Sequence, residues 1–76
     1  MKKYTREEVI AQLKSGNKNF SNCDLSGLDL FGINLHEANL IWANLIWANL
    51  FRAKLTWANL TGTIFDPHVS GFIIKE

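Results

Sequence analysis

Seventy-six residues make one domain, small enough that a conventional globular core would give only marginal stability. Eight Lys and Arg against seven Asp and Glu leave a net charge of +1, which excludes a broad field for nucleic acid, an anionic membrane or a basic partner. The single cysteine, Cys23, excludes an internal disulfide, and Arg6, Glu7 and Glu8 interrupt the apolar run that a secretory leader needs, so a soluble, cytoplasmic chain is expected.

The first element in chain order is a helix. Thr5 with Glu8 three residues later is a capping-box pattern, and Tyr4 can close on Val9 as a hydrophobic staple. The pattern predicts a start at Thr5 or Arg6 and a left-handed stop at Gly16, after Lys14 and Ser15. Val9, Ile10 and Leu13 share one side of it, so residues 1–16 read as an amphipathic helix that either closes the element after it or binds a partner.

From Phe20 the sequence repeats every five residues. Leu25, Leu30, Leu35, Leu40, Leu45, Leu50, Leu55 and Leu60 follow without a miss. Two places before these centres stand Lys18, Cys23, Leu28 and Ile33, then Ala38, Ala43, Ala48, Ala53 and Ala58; the place just before is Asn or Asp except at Lys54. On a helix each step of five turns the centre about 140° past a full circle, which makes no apolar stripe. On a strand an odd step sends successive leucines to opposite faces. The backbone must therefore bend within every unit so that each centre returns to one interior.

This A-N-L-x-x unit in tandem, over about residues 18 to 65, resembles the pentapeptide repeat family. The resemblance implies an all-β solenoid: a right-handed quadrilateral β-helix of about two and a half coils, four units to a coil, capped by a short N-terminal α-helix. It also implies that the centre and the residue two before it face inward and the other three outward. Twenty residues per coil would stack Phe20, Leu40 and Leu60 in one column, Leu25, Leu45 and Phe65 in a second, Leu30 with Leu50 and Leu35 with Leu55 in the others. The asparagines before the centres would stack as well, free to bond to one another and to the backbone of the bends. An open coil end exposes its apolar column and unpaired backbone, which favours residues 1–16 as a lid, residues 17–65 as the β-helix, and 66–76 as a tail or second cap. Within that tail Asp66-Pro67 ends the repeat, and the apolar run from Val69 to Ile74 could cover the last coil or pair with a second chain.

The bend positions carry the candidate surface. In the middle coil they read Ile41-Trp42, Ile46-Trp47, Phe51-Arg52 and Thr56-Trp57, where the coil before has Ser21-Asn22, Ser26-Gly27, Phe31-Gly32 and His36-Glu37. Ile41, Trp42, Ile46, Trp47, Phe51 and Trp57 thus form an outward apolar belt. Each indole could lie flat within its own molecule, Trp42 on Gly62 and Trp47 on Gly27, or under the tail at Phe72 to Ile74. Contiguous apolar surface more often marks contact with another molecule, and self-association, in its simplest form a homodimer, or binding of another protein is the expected use. Small-molecule contact is a lesser reading, and a membrane partner is not expected.

No chemistry competes with that reading. His36, His68, Cys23 and Asp66 are the candidate acids, bases or nucleophiles, and none sits in a catalytic spacing. Cys23 falls at an inward place beneath Ala43, as an inert small hydrophobe; His36 is expected to be solvated on its bend. Asn19-Phe20-Ser21 and Asn59-Leu60-Thr61 match a glycosylation sequon through the repeat alone. No enzyme, cofactor or metal site is expected. Some pentapeptide repeat proteins resemble duplex DNA and act on type II topoisomerases; such mimicry needs a long acidic rod, and the outward acids here are chiefly Asp24, Asp29 and Glu37. A non-catalytic structural or interaction module is the expected function, with DNA mimicry as the alternative.

Overall fold

The computed structural model describes residues 1–65. The tail beyond them, with its proposed cap, Asp66 and His68, lies outside the described residues. The element order is β1 (Lys2–Lys3), α1 (Arg6–Lys14) and β2 (Cys23–Asp24), followed by bridges too short to count as strands.

Helix α1 starts where its capping chemistry dictates. Thr5 is the N-cap: its hydroxyl accepts the Glu8 N–H at 3.1 Å, and the Glu8 carboxylate accepts the Thr5 N–H at 2.8 Å. Tyr4 and Val9 are buried in one cluster, as a staple requires. At the far end Gly16 takes φ +91°, and the Asn17 N–H reaches back to the Gln12 carbonyl at 2.9 Å, a Schellman closure. Val9 is fully buried and Ile10 and Leu13 pack on the same core, so α1 lies against the hydrophobic core through that side. Arg6 ties it down by donating to the Asp29 carbonyl.

Strand β1 was not legible in the sequence. It pairs in parallel with β2, Lys2 with Cys23 and Lys3 with Asp24. Tyr4 then donates its N–H to the Asp24 carbonyl at 3.2 Å and packs edge-on to Phe20, ring centroids 5.7 Å apart. Tyr4 thereby takes the place of a repeat centre, but one residue out of the five-residue register, because α1 is inserted between it and Phe20. Stepping back by five from Phe20 passes it by.

Apart from the β1–β2 pair, every bridge among the described residues joins residues twenty apart, and all are parallel. The ladders are Asn19–Asn39–Asn59, Asp24–Asn44–Ile64, Asp29–Asn49 and Asn34–Lys54. Within them the Leu25 N–H donates to the Asn44 carbonyl at 2.8 Å, and the Asn44 N–H to the Cys23 carbonyl at 2.9 Å. The chain therefore returns to the same column after four pentapeptides, in layers stacked like the rungs of four ladders. Phe20 and the repeat-centre leucines Leu25, Leu30, Leu35, Leu40, Leu45 and Leu50 are almost wholly buried, each worth about 1.5–3 kcal/mol relative to an exposed side chain. Ala38, Ala43 and Ala48 fill the second inward place, which Cys23 and Ile33 fill in the layer before. Toward the last layer Leu60 and Phe65 are half-covered.

The asparagines work mainly on the bends. Asn39 accepts the Ile41 N–H at 3.0 Å, Asn44 the Ile46 N–H at 3.0 Å, and Asn49 the Phe51 N–H at 3.0 Å, each through its side-chain oxygen. The expected amide-to-amide stacking reduces, among the described residues, to a single long contact, Asn49 Nδ2 to Asp29 Oδ1 at 3.4 Å. An Asn oxygen held by the next bend points along its own layer, which leaves little for the layer above.

Candidate interaction surface

From Leu25 to Thr63 each bend is a four-residue turn closed by a backbone bond: the Ala43 N–H donates to the Leu40 carbonyl and the Ala48 N–H to the Leu45 carbonyl, both at 3.0 Å. Every turn places its third residue at positive φ, as a type II turn requires. That place runs Asn22, Gly27, Gly32, Glu37, Trp42, Trp47, Arg52, Trp57 and Gly62, with φ between +55° and +70°. Glycine and asparagine accept this conformation readily; for other L-residues it costs about 1–2 kcal/mol. All four bends of the middle layer carry a residue that does not accept it, and three of those residues are tryptophan.

The indoles are held outward by this backbone. Trp42, Trp47 and Trp57 are 58 %, 64 % and 70 % exposed, and Phe51 is 50 % exposed. Ile41 and Ile46, which precede the tryptophans, are half-buried, so the outward surface is more aromatic than aliphatic. Trp42 does lean over Gly62: a Cβ built on that glycine would stand 2.5 Å from Trp42 Cε3. Trp47 does not cover Gly27, where an added Cβ meets nothing within 4 Å. The side chain of Trp42 rises toward the following layer, and Gly27 lies in the preceding layer relative to Trp47. Phe51 stacks on Phe31, with ring centroids 6.0 Å apart and an interplanar angle of 25°, and Arg52 lies 5.8 Å from the Phe51 centroid.

The six belt residues lie on three sides of the ladders. Ile41-Trp42 and Ile46-Trp47 bracket the Asp24–Asn44–Ile64 ladder, Phe51 follows the Asp29–Asn49 ladder, and Trp57 follows Asn34–Lys54. Besides Met1, two exposed large apolar side chains among the described residues lie outside these six. Ile64, half-exposed, stands at the place where the ladder otherwise has Asn or Asp, and Phe31 joins the belt only through its stack on Phe51.

The chemistry-bearing groups are dispersed. Cys23 is buried; burial pushes its thiol up, partly offset by the Lys2 charge and by Tyr4, and its Sγ–H donates to the Ser21 carbonyl at 3.4 Å. His36 is less solvated than its bend position suggested: Nδ1 is buried without a partner among the described residues, while Nε2 stands 3.7 Å from Glu37. Asp24 is held below its ordinary range, first by the Ser26 hydroxyl, then by the Ser26 N–H, with Lys3 3.9 Å away as a lesser cause. Among the described residues no three of His, Cys, Asp and Glu converge on a metal site, and no helix is long and apolar enough to cross a membrane. A groove of about 260 Å³ runs between α1 and the first layer, lined by Ile10, Leu13, Lys14, Lys18, Ile33 and Asn34. Its lining sets apolar Ile10, Leu13 and Ile33 beside Lys14, Lys18 and Asn34.

No curated protein matches the chain. The family model of pentapeptide repeats does, with eight copies in two overlapping matches over residues 19–50 and 29–66. Such repeats imply a β-helix solenoid and a structural or interaction module, in keeping with the ladders twenty residues apart, and the chain belongs to the pentapeptide repeat family.

Proposed function

We propose that this chain is a non-catalytic interaction module: a right-handed quadrilateral β-helix of about two and a half coils, closed at its first coil by α1. In this reading the four ladders are four walls, and the outward belt of Ile41, Trp42, Ile46, Trp47, Phe51 and Trp57 binds a second copy or another protein in the cytoplasm. The observation that carries it is the placement of three tryptophans, all more than half exposed, at the one backbone position of the repeat that resists them. Strain kept where the fold itself asks only for Gly or Asn points to a use for the side chain. Large aromatic side chains fixed on a stiff scaffold lose little entropy on contact, which suits them to an interface.

Sedimentation equilibrium over a range from about 5 to 500 μM tests the proposal. The expected result is a mass above one chain that returns to one chain when Trp42 and Trp47 are changed to Ser. A single-chain mass at every concentration, with tryptophan emission already blue-shifted, would refute self-association and return the belt to packing within the molecule.

A further inference from the structure

The four walls do not offer the same chemistry. Within one rung, only the segment around Asn44 has a tryptophan at both ends, Trp42 before it and Trp47 after it. The rung of Asn49 runs from Trp47 to Arg52, and that of Lys54 from Arg52 to Trp57. Asn39 lies between Glu37 and Trp42. Among the described residues the Asn44 wall is also the tallest, because β1 adds a rung beneath Asp24 and Ile64 adds one above. At the levels of Asn44 and Ile64 it bears no charge among the described residues. At its foot Lys3 and Asp24 face each other at 3.9 Å, and Lys3 Nζ also donates to the Ser26 carbonyl at 2.6 Å. Covering the upper part of the wall therefore strips water from no charge among the described residues, and the foot, where Lys2 is also exposed, is left at the rim.

We infer that this wall is the interface between two copies of the chain, related by a two-fold axis that runs along the stacking direction. The inference rests on the self-association proposed above and names its face and register. Three features of the wall are self-complementary about such an axis. The two edges exchange, so that Trp42 of each copy meets Trp47 of the other. Ile64, half-exposed at the top, meets its own counterpart. Asn44, whose side-chain oxygen already accepts the Ile46 N–H, meets its counterpart with an amide N–H₂ that has no acceptor among the described residues. A two-fold axis across the stack would instead lay Ile64 over the Lys3–Asp24 pair, setting apolar surface against charge. Level matching thus selects the parallel arrangement.

The area sets the strength. A tryptophan hides about 150–250 Å² when fully covered, so the exposed part of two, with Ile64 and the edges of Ile41 and Ile46, comes to about 400 Å² per copy. Both copies together bury about 800 Å², short of the roughly 1,200 Å² at which stable interfaces begin. The pair is a reversible dimer in the micromolar range.

Site-directed disulfide trapping tests the face separately from the association. Ile64→Cys and Lys54→Cys are each made with Cys23→Ala, an alanine being what the repeat itself carries at the equivalent place of the next layer. At about 100 μM under mild oxidation, Ile64→Cys should form a covalent dimer at least tenfold faster than Lys54→Cys, which lies on the opposite wall. A dimer mass with faster trapping through Lys54→Cys overturns the face and leaves self-association standing. A single-chain mass with no trapping at either position overturns both, whether the protein then stays alone in solution or binds anionic lipid vesicles. The unmodified protein gives an independent reading by NMR dilution. The indole N–H signals of Trp42 and Trp47 should move with concentration and that of Trp57 should not; equal movement of all three, or movement of Trp57 alone, overturns the face.

Discussion

Replacing Lys54 with Asn should stabilise the fold, and the structure says by how much. Eight Asn or Asp side chains in the repeat accept the N–H two residues on, at 3.0–3.1 Å. Lys54 breaks the series, and the Thr56 N–H beyond it has no acceptor among the described residues. The backbone at this place is already set for the missing bond: the Lys54 N–H donates to the Ile33 carbonyl at 2.9 Å, and the Lys54 carbonyl accepts the Leu35 N–H at 2.8 Å. Lys54 is exposed, so its removal sacrifices no packing. One added hydrogen bond contributes about 0.5–1.5 kcal/mol. For a domain of this size each kcal/mol moves the thermal midpoint by about 4–8 °C, which places the expected rise near 5 °C. Calorimetry with urea titration measures it, and the urea slope should not change, since no surface is added or removed. Lys54→Ala separates loss of the lysine from gain of the bond. If Lys54→Asn melts no higher than Lys54→Ala, the side-chain oxygen does not hold the bend, and the account of the repeat's asparagines is wrong.

Four further outcomes follow from the same geometry. Leu45→Ala removes a side chain 1 % exposed, at a cost of about 2–5 kcal/mol, and should lower the thermal midpoint by at least about 10 °C. Gly62→Ala puts a side chain at φ +68° and a Cβ within 2.5 Å of the Trp42 ring; the melt should fall, and Trp42 emission, read with Trp47 and Trp57 changed to Phe, should shift to the red. Cys23, buried and with its thiol pushed up, should resist an aromatic disulfide reagent at pH 8 until urea unfolds the chain; rapid reaction in native buffer would contradict its inward place. Asp24 has a lowered folded-state pKa, so its stabilising effect is present above the ordinary carboxylate range and is lost as pH falls through the lowered value; an NMR titration should find that value raised in Ser26→Ala.

The repeating part of the fold was legible because one constraint recurs. Leu at every fifth place admits neither helix nor strand, and the ladders between Asn19 and Ile64 follow from bending within each unit. The helix was legible for a local reason, since Thr5 and Glu8 satisfy each other's backbone without reference to the rest of the chain. What escaped was whatever depended on register across an insertion. Lys2 and Lys3 have no strand signature and join Cys23 and Asp24 only because α1 folds back between them. The surface was half legible. Composition at the bends marked the tryptophans as unusual, but the lean of Trp42 toward Gly62, and the space left above Gly27, depend on which way each side chain leaves the turn, which a linear pattern does not encode. The count of twenty that stacks Phe65 on Leu45 also sets Ile64 over Asn44, but it does not tell how far the Ile64 side chain is exposed.

The cost of the bends separates what the fold needs from what the surface adds. In the first layer Asn22, Gly27 and Gly32 fill the left-handed place, and Glu37 alone resists it. In the middle layer Trp42, Trp47, Arg52 and Trp57 all resist it, at about 1–2 kcal/mol each, for a total comparable with the stability of a small domain. The stack offsets this by bonding the strained residue from above and below: the Trp42 N–H donates to the Thr61 carbonyl, and the carbonyl of Ile41 accepts the Asn22 N–H, both at 2.9 Å. A side chain there also restricts the unfolded chain more than glycine would, which returns about 0.4–1 kcal/mol per bend. The remainder has no counterpart in the core, because glycine would leave every leucine where it is. On the proposed association the indoles are kept for what they meet outside the molecule, and the wall on which two of them share a rung has no charged residue on that rung.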